Sequence, residues 1–404
     1  MLTHELADRR VGIAIVGVGG AVATTVAAGL ELLRLGLADT DGLPLAEAEC
    51  DLAPYGGMVV GGWDVSAADL ATASEVHAVL GPSELAAAGP ALSAIRPWPA
   101  IGDVAFCRNI DGDHRIVGSS PRAAVDVIRC DLRRFRDEHK LDAIVMVNLA
   151  STERPSDVAF GALASLDAFE RALDTGDEPV GPSALYAYAA LREGVPYANF
   201  TPSVAVDSPA LRELAEQLCV PIAGKDGKTG QTLMKTVIAP GLRSRALRVD
   251  GWFSTNILGN RDGLALEDPD SRRSKLDTKG SVLDDILGYH VADHVVRIEY
   301  YRPRGDDKEA WDTIDLVGFL GRRMQLKVNF LCRDSILAAP LVIEIARLLD
   351  CADRRGDGGV QEQLGAFFKA PMTIDGQSPE HALHRQEEAL AAWMGAERPA
   401  RMHR

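Results

Sequence analysis

The chain opens with an uninterrupted apolar run at 11–16 (VGIAIV), then GVGG, then small apolar residues at helical spacing through Leu33. A strand without polar alternation is one covered on both faces, as in a parallel sheet. Similar runs at 58–66 (MVVGGWDVS), 143–151 (AIVMVNLAS), 195–202 and 220–227 each break into a polar loop, and an Arg- and Asp-rich helical stretch covers 120–140. Strand, glycine turn and helix, followed by further buried strands, predict a doubly wound α/β domain. From about 227 to 334 the pattern changes. Segments 246–257, 294–303 and 324–332 alternate apolar and polar positions, as a sheet with one covered face requires. A strongly apolar helix follows at 335–350, and the remainder to Arg404 reads as mostly helical and polar. The expected organisation is one domain from 1–226 plus 335–404, with 227–334 inserted as a second α/β domain.

Composition narrows the function more than the fold. A 404-residue chain that is 47% apolar can bury two cores. A formal net charge of −15 argues against nucleic acid or an anionic membrane as the main partner, so an anionic substrate would need a local basic site. Six scattered cysteines without a C-x-x-C pair suit reduced thiols in the cytoplasm better than a disulfide frame or a zinc site. Arg9-Arg10 before the charge-free run 11–30 has the outline of a secretory leader, but five glycines and two threonines make that run a poor membrane span. His290 and His294 have the i, i+4 spacing of many zinc pairs but no third ligand nearby, so no metal is expected.

Lysine usage points to chemistry. Only nine of the 43 basic residues are Lys, and eight of those nine follow residue 224. A chain that uses Arg almost everywhere has a reason to keep Lys where an amine or a compact charge is needed. Gly17, Gly19 and Gly20 follow a strand and open a helix, where bare amides can approach a pyrophosphate. Asp64, 44 residues beyond Gly20, ends the next clear strand and is placed to take ribose hydroxyls, which favours NAD over NADP. The loop GKDGKTGQT (224–232) can cradle a monophosphate or be a solvated turn; G-x-x-x-x-G-K-[ST] is absent, so ATP is not indicated. Lys275 and Lys279 stand four apart, and Lys308, Asp334 and Lys369 fall at element ends.

Nine blocks in order carry a resemblance. They are G-x-G-G-x-x-x-T-T (from Gly17), G-W-D-V-S (from Gly62), N-x-x-S-T-E-R (from Asn148), G-x-D-x-K-x-G-Q-T (from Gly224) and N-x-L-G-N-x-D-G (from Asn256). S-K-x-x-x-K (from Ser274), G-D-x-K (from Gly305), C-x-D-S-x-L-A-A-P-L (from Cys332) and F-x-K-A-P (from Phe367) complete the series. Over about residues 11–372 the chain resembles the inositol-1-phosphate synthase family. The resemblance implies a Rossmann-like NAD-binding domain with an inserted α/β domain for catalysis and tetramerisation, in a homotetramer acting on a hexose phosphate. Matched residue by residue, it implies catalytic Asp226, Asp262, Lys275, Lys279, Lys308, Asp334 and Lys369. Its cofactor contacts fall on Gly17, Gly19, Gly20, Asp64, Asn148, Ser151, Thr152, Asp226 and Asp334, and its phosphate contacts on Thr229, Gly230, Gln231 and Lys279. Leu233 stands where the family commonly has Lys, Ile257 and Arg261 alter the fifth block, and 201–207 (TPSVAVD) replaces another.

The implied reaction is redox-neutral: oxidation at C5 of an open-chain hexose phosphate, enolisation, intramolecular aldol closure and reduction. D-Glucose 6-phosphate would give 1D-myo-inositol 3-phosphate. Fructose 6-phosphate would give a five-membered cyclitol phosphate of the kind used in carbocyclic nucleosides. An ordinary NAD dehydrogenase with net turnover is the competing class. Lys275 and Lys308 are expected to move the proton at C5 and stabilise oxyanion, and Lys279 and Lys369 to hold phosphate and the acceptor carbonyl, with the aspartates orienting them.

Overall fold

A computed structural model describes residues 6–48, 50–103, 105–107, 112–117, 120–154, 159–177, 179–259, 282–374 and 377–395. The apolar runs form strands β1 (Val11–Val16), β2 (Met58–Asp64), β4 (Ala143–Asn148), β5 (Tyr197–Asn199) and β6 (Pro221–Gly224), joined by β3 (Trp98–Pro99) and β11 (Gly359–Val360). They lie in the order β11-β6-β5-β4-β1-β2-β3, with every pair parallel. Strand order 3-2-1-4-5-6 is the doubly wound dinucleotide-binding arrangement, and β11 extends its far edge.

β1 is buried at every position because each face has its own core. Val11, Ile13 and Ile15 pack with helices α1 (Ala21–Arg34) and α5 (Asp334–Arg355). Ala14 and Val16 join the core of α2 (Pro121–His139) and α3 (Pro182–Arg192) on the other side. The ridge between the two cores ends at Val16 and Asn148, where the chain turns and the sheet changes winding direction. Ligands of such sheets bind outside the strands' carboxyl ends at that point.

The second sheet runs β10 (Arg323–Arg333), β9 (Asp307–Val317), β7 (Arg248–Leu258), β8 (Asp293–Tyr300), antiparallel except for β7 with β8. Its inner face, with Val249, Trp252, Ile314 and Leu316, packs on helix α4 (Gly230–Ser244) and on the helix at 282–287. The outer face leaves Val295, Trp311 and Leu331 exposed.

One strand carries no apolar signal in the sequence, and two expectations need correction. The polar stretch after Gly305 contains a full strand, β9, whose inward positions include Lys308 and Asp312 and therefore carry no apolar signal. The loop at 224–232 ends in the first turn of α4. Among the described residues the tail is not mostly helical: between Gly356 and Ala382 they are irregular apart from β11 and a 3-10 turn, and beyond them only α6 (Leu383–Gly395) is a helix.

Candidate active site

A cavity of about 280 Å³ opens at the carboxyl ends of β1, β2 and β4. Gly17 starts the turn after β1 with φ +84°, a left-handed backbone natural to glycine, and a Cβ there would lie 3.2 Å from Ala150 Cα. The amides of Gly17 and Val18 both donate to the Trp63 carbonyl, which pins the turn against β2. Gly20, at the N-cap of α1, offers no capping side chain and the first turn holds no acid, so the amides of Ala21, Val22 and Ala23 that open the helix stay available to an anion. Asp64 closes the cradle: Oδ2 accepts from Gly19 N at 2.9 Å and Oδ1 from Ser66 N at 2.9 Å. These residues fit a dinucleotide, with pyrophosphate on the glycine turn and a carboxylate beside it. Asp64→Ala is expected to weaken NAD binding at least tenfold, as loss of a charge-assisted bond worth about 1.5–3 kcal/mol would do. Calorimetric titration checks it, and affinity within about twofold of the parent would refute the assignment.

Ser151 and Thr152 line the same cavity, whereas Asn148 lies behind it. Its amide is committed to Ser183 Oγ at 2.9 Å and to the Ala150 amide at 3.1 Å. The motif reading passed over Glu153, the next residue of that block. Glu153 lines the cavity and accepts from Ser183 N and Oγ at 2.7 and 2.6 Å, and desolvation pushes its carboxyl up to about 7. His77, also unmarked by any motif, stands in the wall with Nε2 2.8 Å from the Gly19 carbonyl.

At the other end of the cavity the loop after β6 is zipped to the segment after β11. Lys225 N and Ala370 N exchange hydrogen bonds with each other's carbonyls, and Lys369 N donates to Asp226 O. This pairing sets the Lys369 ammonium 2.7 Å from Asp226 Oδ1, with both side chains almost wholly buried. Asp226 lines the cavity, and its Oδ2 is buried without a hydrogen-bond partner among the described residues. A second pair stands beside it. Lys308 Nζ lies 3.2 and 3.3 Å from the two carboxylate oxygens of Asp334, and Thr229 Oγ1 donates to Oδ1 at 2.9 Å.

Each partner comes from a different element: Thr229 caps α4, Lys308 begins β9 and Asp334 begins α5. Gly230 takes φ +54°, which lets the chain enter α4 directly beneath the Lys308 amine. Thr229, Asp226, Asp334 and Lys369 thus line the same cavity as Gly17, Gly19, Gly20 and Asp64, and Lys308 sits behind Asp334. Gln231 does not reach the cavity. Its amide nitrogen donates to Asp312 Oδ1 at 3.1 Å and its oxygen accepts from Asn256 at 2.5 Å, within a buried network that also ties Trp252 and Ser254 to Asp312. Asp262, Lys275 and Lys279 lie outside the described residues. Of the sequence departures, Ile257 is on the outer face of the second sheet, Thr201 and Pro202 line the cavity, and Asp207 pairs with Lys225 at 2.6 Å. Among the described residues no cluster of three or more His, Cys, Asp or Glu is arranged to hold a metal.

Comparison with known proteins identifies the family. A family model described as myo-inositol-1-phosphate synthase matches residues 43–395. Inositol-3-phosphate synthase 1 of Bacteroides thetaiotaomicron is 40% identical over 419 residues, spanning 97% of each chain. Inositol-3-phosphate synthase of Saccharomyces cerevisiae is 31% identical over 370 residues, which cover 82% of this chain and 69% of that one. The crystal structure of inositol-3-phosphate synthase from Caenorhabditis elegans superposes with a TM-score of 0.89 at 28% identity, covering 96% of this chain and 86% of that one. The chain belongs to the myo-inositol-1-phosphate synthase family, NAD-dependent enzymes of the isomerase class.

Proposed function

We propose that this chain converts D-glucose 6-phosphate into 1D-myo-inositol 3-phosphate by redox-neutral cyclisation. The observation that carries the reading is the pair of lysine–carboxylate contacts, Lys369–Asp226 and Lys308–Asp334, at the reactive end of a cavity built for a dinucleotide. The names of the Bacteroides and yeast relatives, inositol-3-phosphate synthases, support the product. NAD, held by the glycine turn and Asp64, would supply reversible hydride transfer at C5.

The residues then have separable tasks. Lys308, oriented by both oxygens of Asp334, takes and returns the proton at the C5 oxygen. Lys369, fixed by Asp226, presents positive charge to the oxygen that becomes anionic when the ring closes. The phosphate is held by Thr229 and the amides opening α4, with the buried Gln231–Asp312 network fixing that turn from below. Asp262, Lys275 and Lys279 complete the set in this reading, Lys275 at C5 and Lys279 on the phosphate.

The same reading divides the chain at 1–226 plus 335–404 against 227–334, and makes the enzyme a cytoplasmic homotetramer. The exposed apolar outer face of the second sheet, with Val295, Trp311 and Leu331, supports assembly there. The deciding experiment is product identification. Incubation with NAD⁺ and carbon-13-labelled glucose 6-phosphate is expected to give the six-membered inositol phosphate by NMR. A five-membered cyclitol phosphate formed from fructose 6-phosphate, with glucose 6-phosphate left untouched, would replace the substrate assignment.

A further inference from the structure

Lys228 stands between two residues of the cavity wall, Gly227 and Thr229, yet does not itself line the cavity. Its side chain is 3% exposed, and its amine donates to Gln386 Oε1 of α6 at 2.5 Å. Gln386 is held in turn by its own segment, its amide nitrogen donating to the Glu380 carbonyl at 2.6 Å. His381 of that segment is buried with Nε2 3.7 Å from Asp285 Oδ2, on the helix at 282–287 beneath the second sheet. Residues 380–387 therefore touch both the loop that carries Asp226 and the layer that supports α4.

The backbone of the loop is already satisfied from the inside. Amides 225–228 donate in turn to the carbonyls of Ala370, Thr201, Phe200 and Phe367. What remains is the outer side, where a long amine costs more side-chain entropy and desolvation than an apolar residue of equal size. A single hydrogen bond between two otherwise buried polar groups selects one register for the segment that provides it.

We propose that Lys228 is a positioning residue: its amine locks Gln386, and with it segment 380–387, as the outer support of the loop that holds Asp226 against Lys369. The inference rests on the proposed catalytic role of that pair. Burial pushes the Lys228 amine down to about 7, with the Glu387 carboxylate opposing the shift. His381, itself pushed down by burial, is the other titratable group facing it, with Asp285 beyond, 3.7 Å from the His381 Nε2. Protonation is penalised in this site, so the support weakens as pH falls from the ordinary lysine range towards about 7 and changes no further below it.

Hydrogen exchange on the full chain, read peptide by peptide without substrate, tests the lock independently of turnover. In Gln386→Leu, exchange at 225–229 and 367–370 should rise at least about tenfold while 11–20 keeps its parental rate. Turnover should fall by about the same factor, with NAD affinity and KM within about threefold. In the parent, exchange corrected for its intrinsic pH dependence should rise at 225–229 as pH falls from about 10.5 to about 7 and level off below, and in Lys228→Met that rise should be absent. Parental protection in Gln386→Leu overturns the proposal, as does an increase that spreads evenly to 11–20, which marks general destabilisation. Altered protection with unchanged turnover overturns the positioning role. If the parent makes no cyclitol phosphate, the proposed function fails while the exchange result still reports on the lock.

Discussion

Lys308→Arg is expected to lower turnover by about 10²-fold or more while sugar-phosphate binding stays within a few-fold, the usual scale for a lost acid–base group. The charge is conserved, so a purely electrostatic role would be partly rescued. What changes is the capacity for proton transfer, which an amine has and a guanidinium lacks. The geometry sharpens the contrast. The Lys308 amine is nearly buried between both oxygens of Asp334 and the backbone of Gly230, so a planar fork must displace one of them or abandon the carboxylate. Steady-state kinetics with separate binding measurements decides the matter. Turnover within about tenfold of the parent would leave Lys308 as a binding cation only.

Lys369→Met should be the more damaging change, because it strikes both chemistry and fold. The Lys369–Asp226 contact is 2.7 Å long and almost wholly buried, and Asp226 Oδ2 already lacks a partner among the described residues. Removing the cation strands a carboxylate in a dry site, a loss on the order of 3–5 kcal/mol of stability. Loss of a charge aimed at a developing oxyanion adds about 10²–10³-fold in turnover. The two effects separate in a double variant. Asp226→Asn in the Lys369→Met background should restore much of the denaturant midpoint and none of the turnover. A stability equal to that of the parent in the single variant would show that the pair is not electrostatically coupled.

How far these residues could be read in advance depended on whether burial and hydrophobicity agree. β1, β2 and β4 were legible because a strand covered on both faces has apolar side chains throughout. The glycine turn and Asp64 were legible as a spacing of residue types, and the structure brings them within one hydrogen bond. β9 was not, because its covered positions include Lys308 and Asp312, charges that pattern reading assigns to a loop. The tail misled for the opposite reason: Lys369 needs irregular backbone between β11 and α6 so that its segment can run beside the Asp226 loop. Gln231 and Asn148 read as ligand contacts from their motifs, yet their amides are spent on buried partners that lie far off in sequence. Glu153 and Lys228 stand inside recognisable motifs, but only tertiary burial marks them as titrating near neutrality.

The most direct test of a redox-neutral cyclase is to follow NADH absorbance while the hexose phosphate is consumed under catalytic amounts of NAD⁺. Substrate should disappear over many turnovers with absorbance flat, because the hydride taken from C5 is returned before product leaves. NADH accumulating in step with substrate loss, or turnover that stops once the added NAD⁺ is reduced, would contradict it.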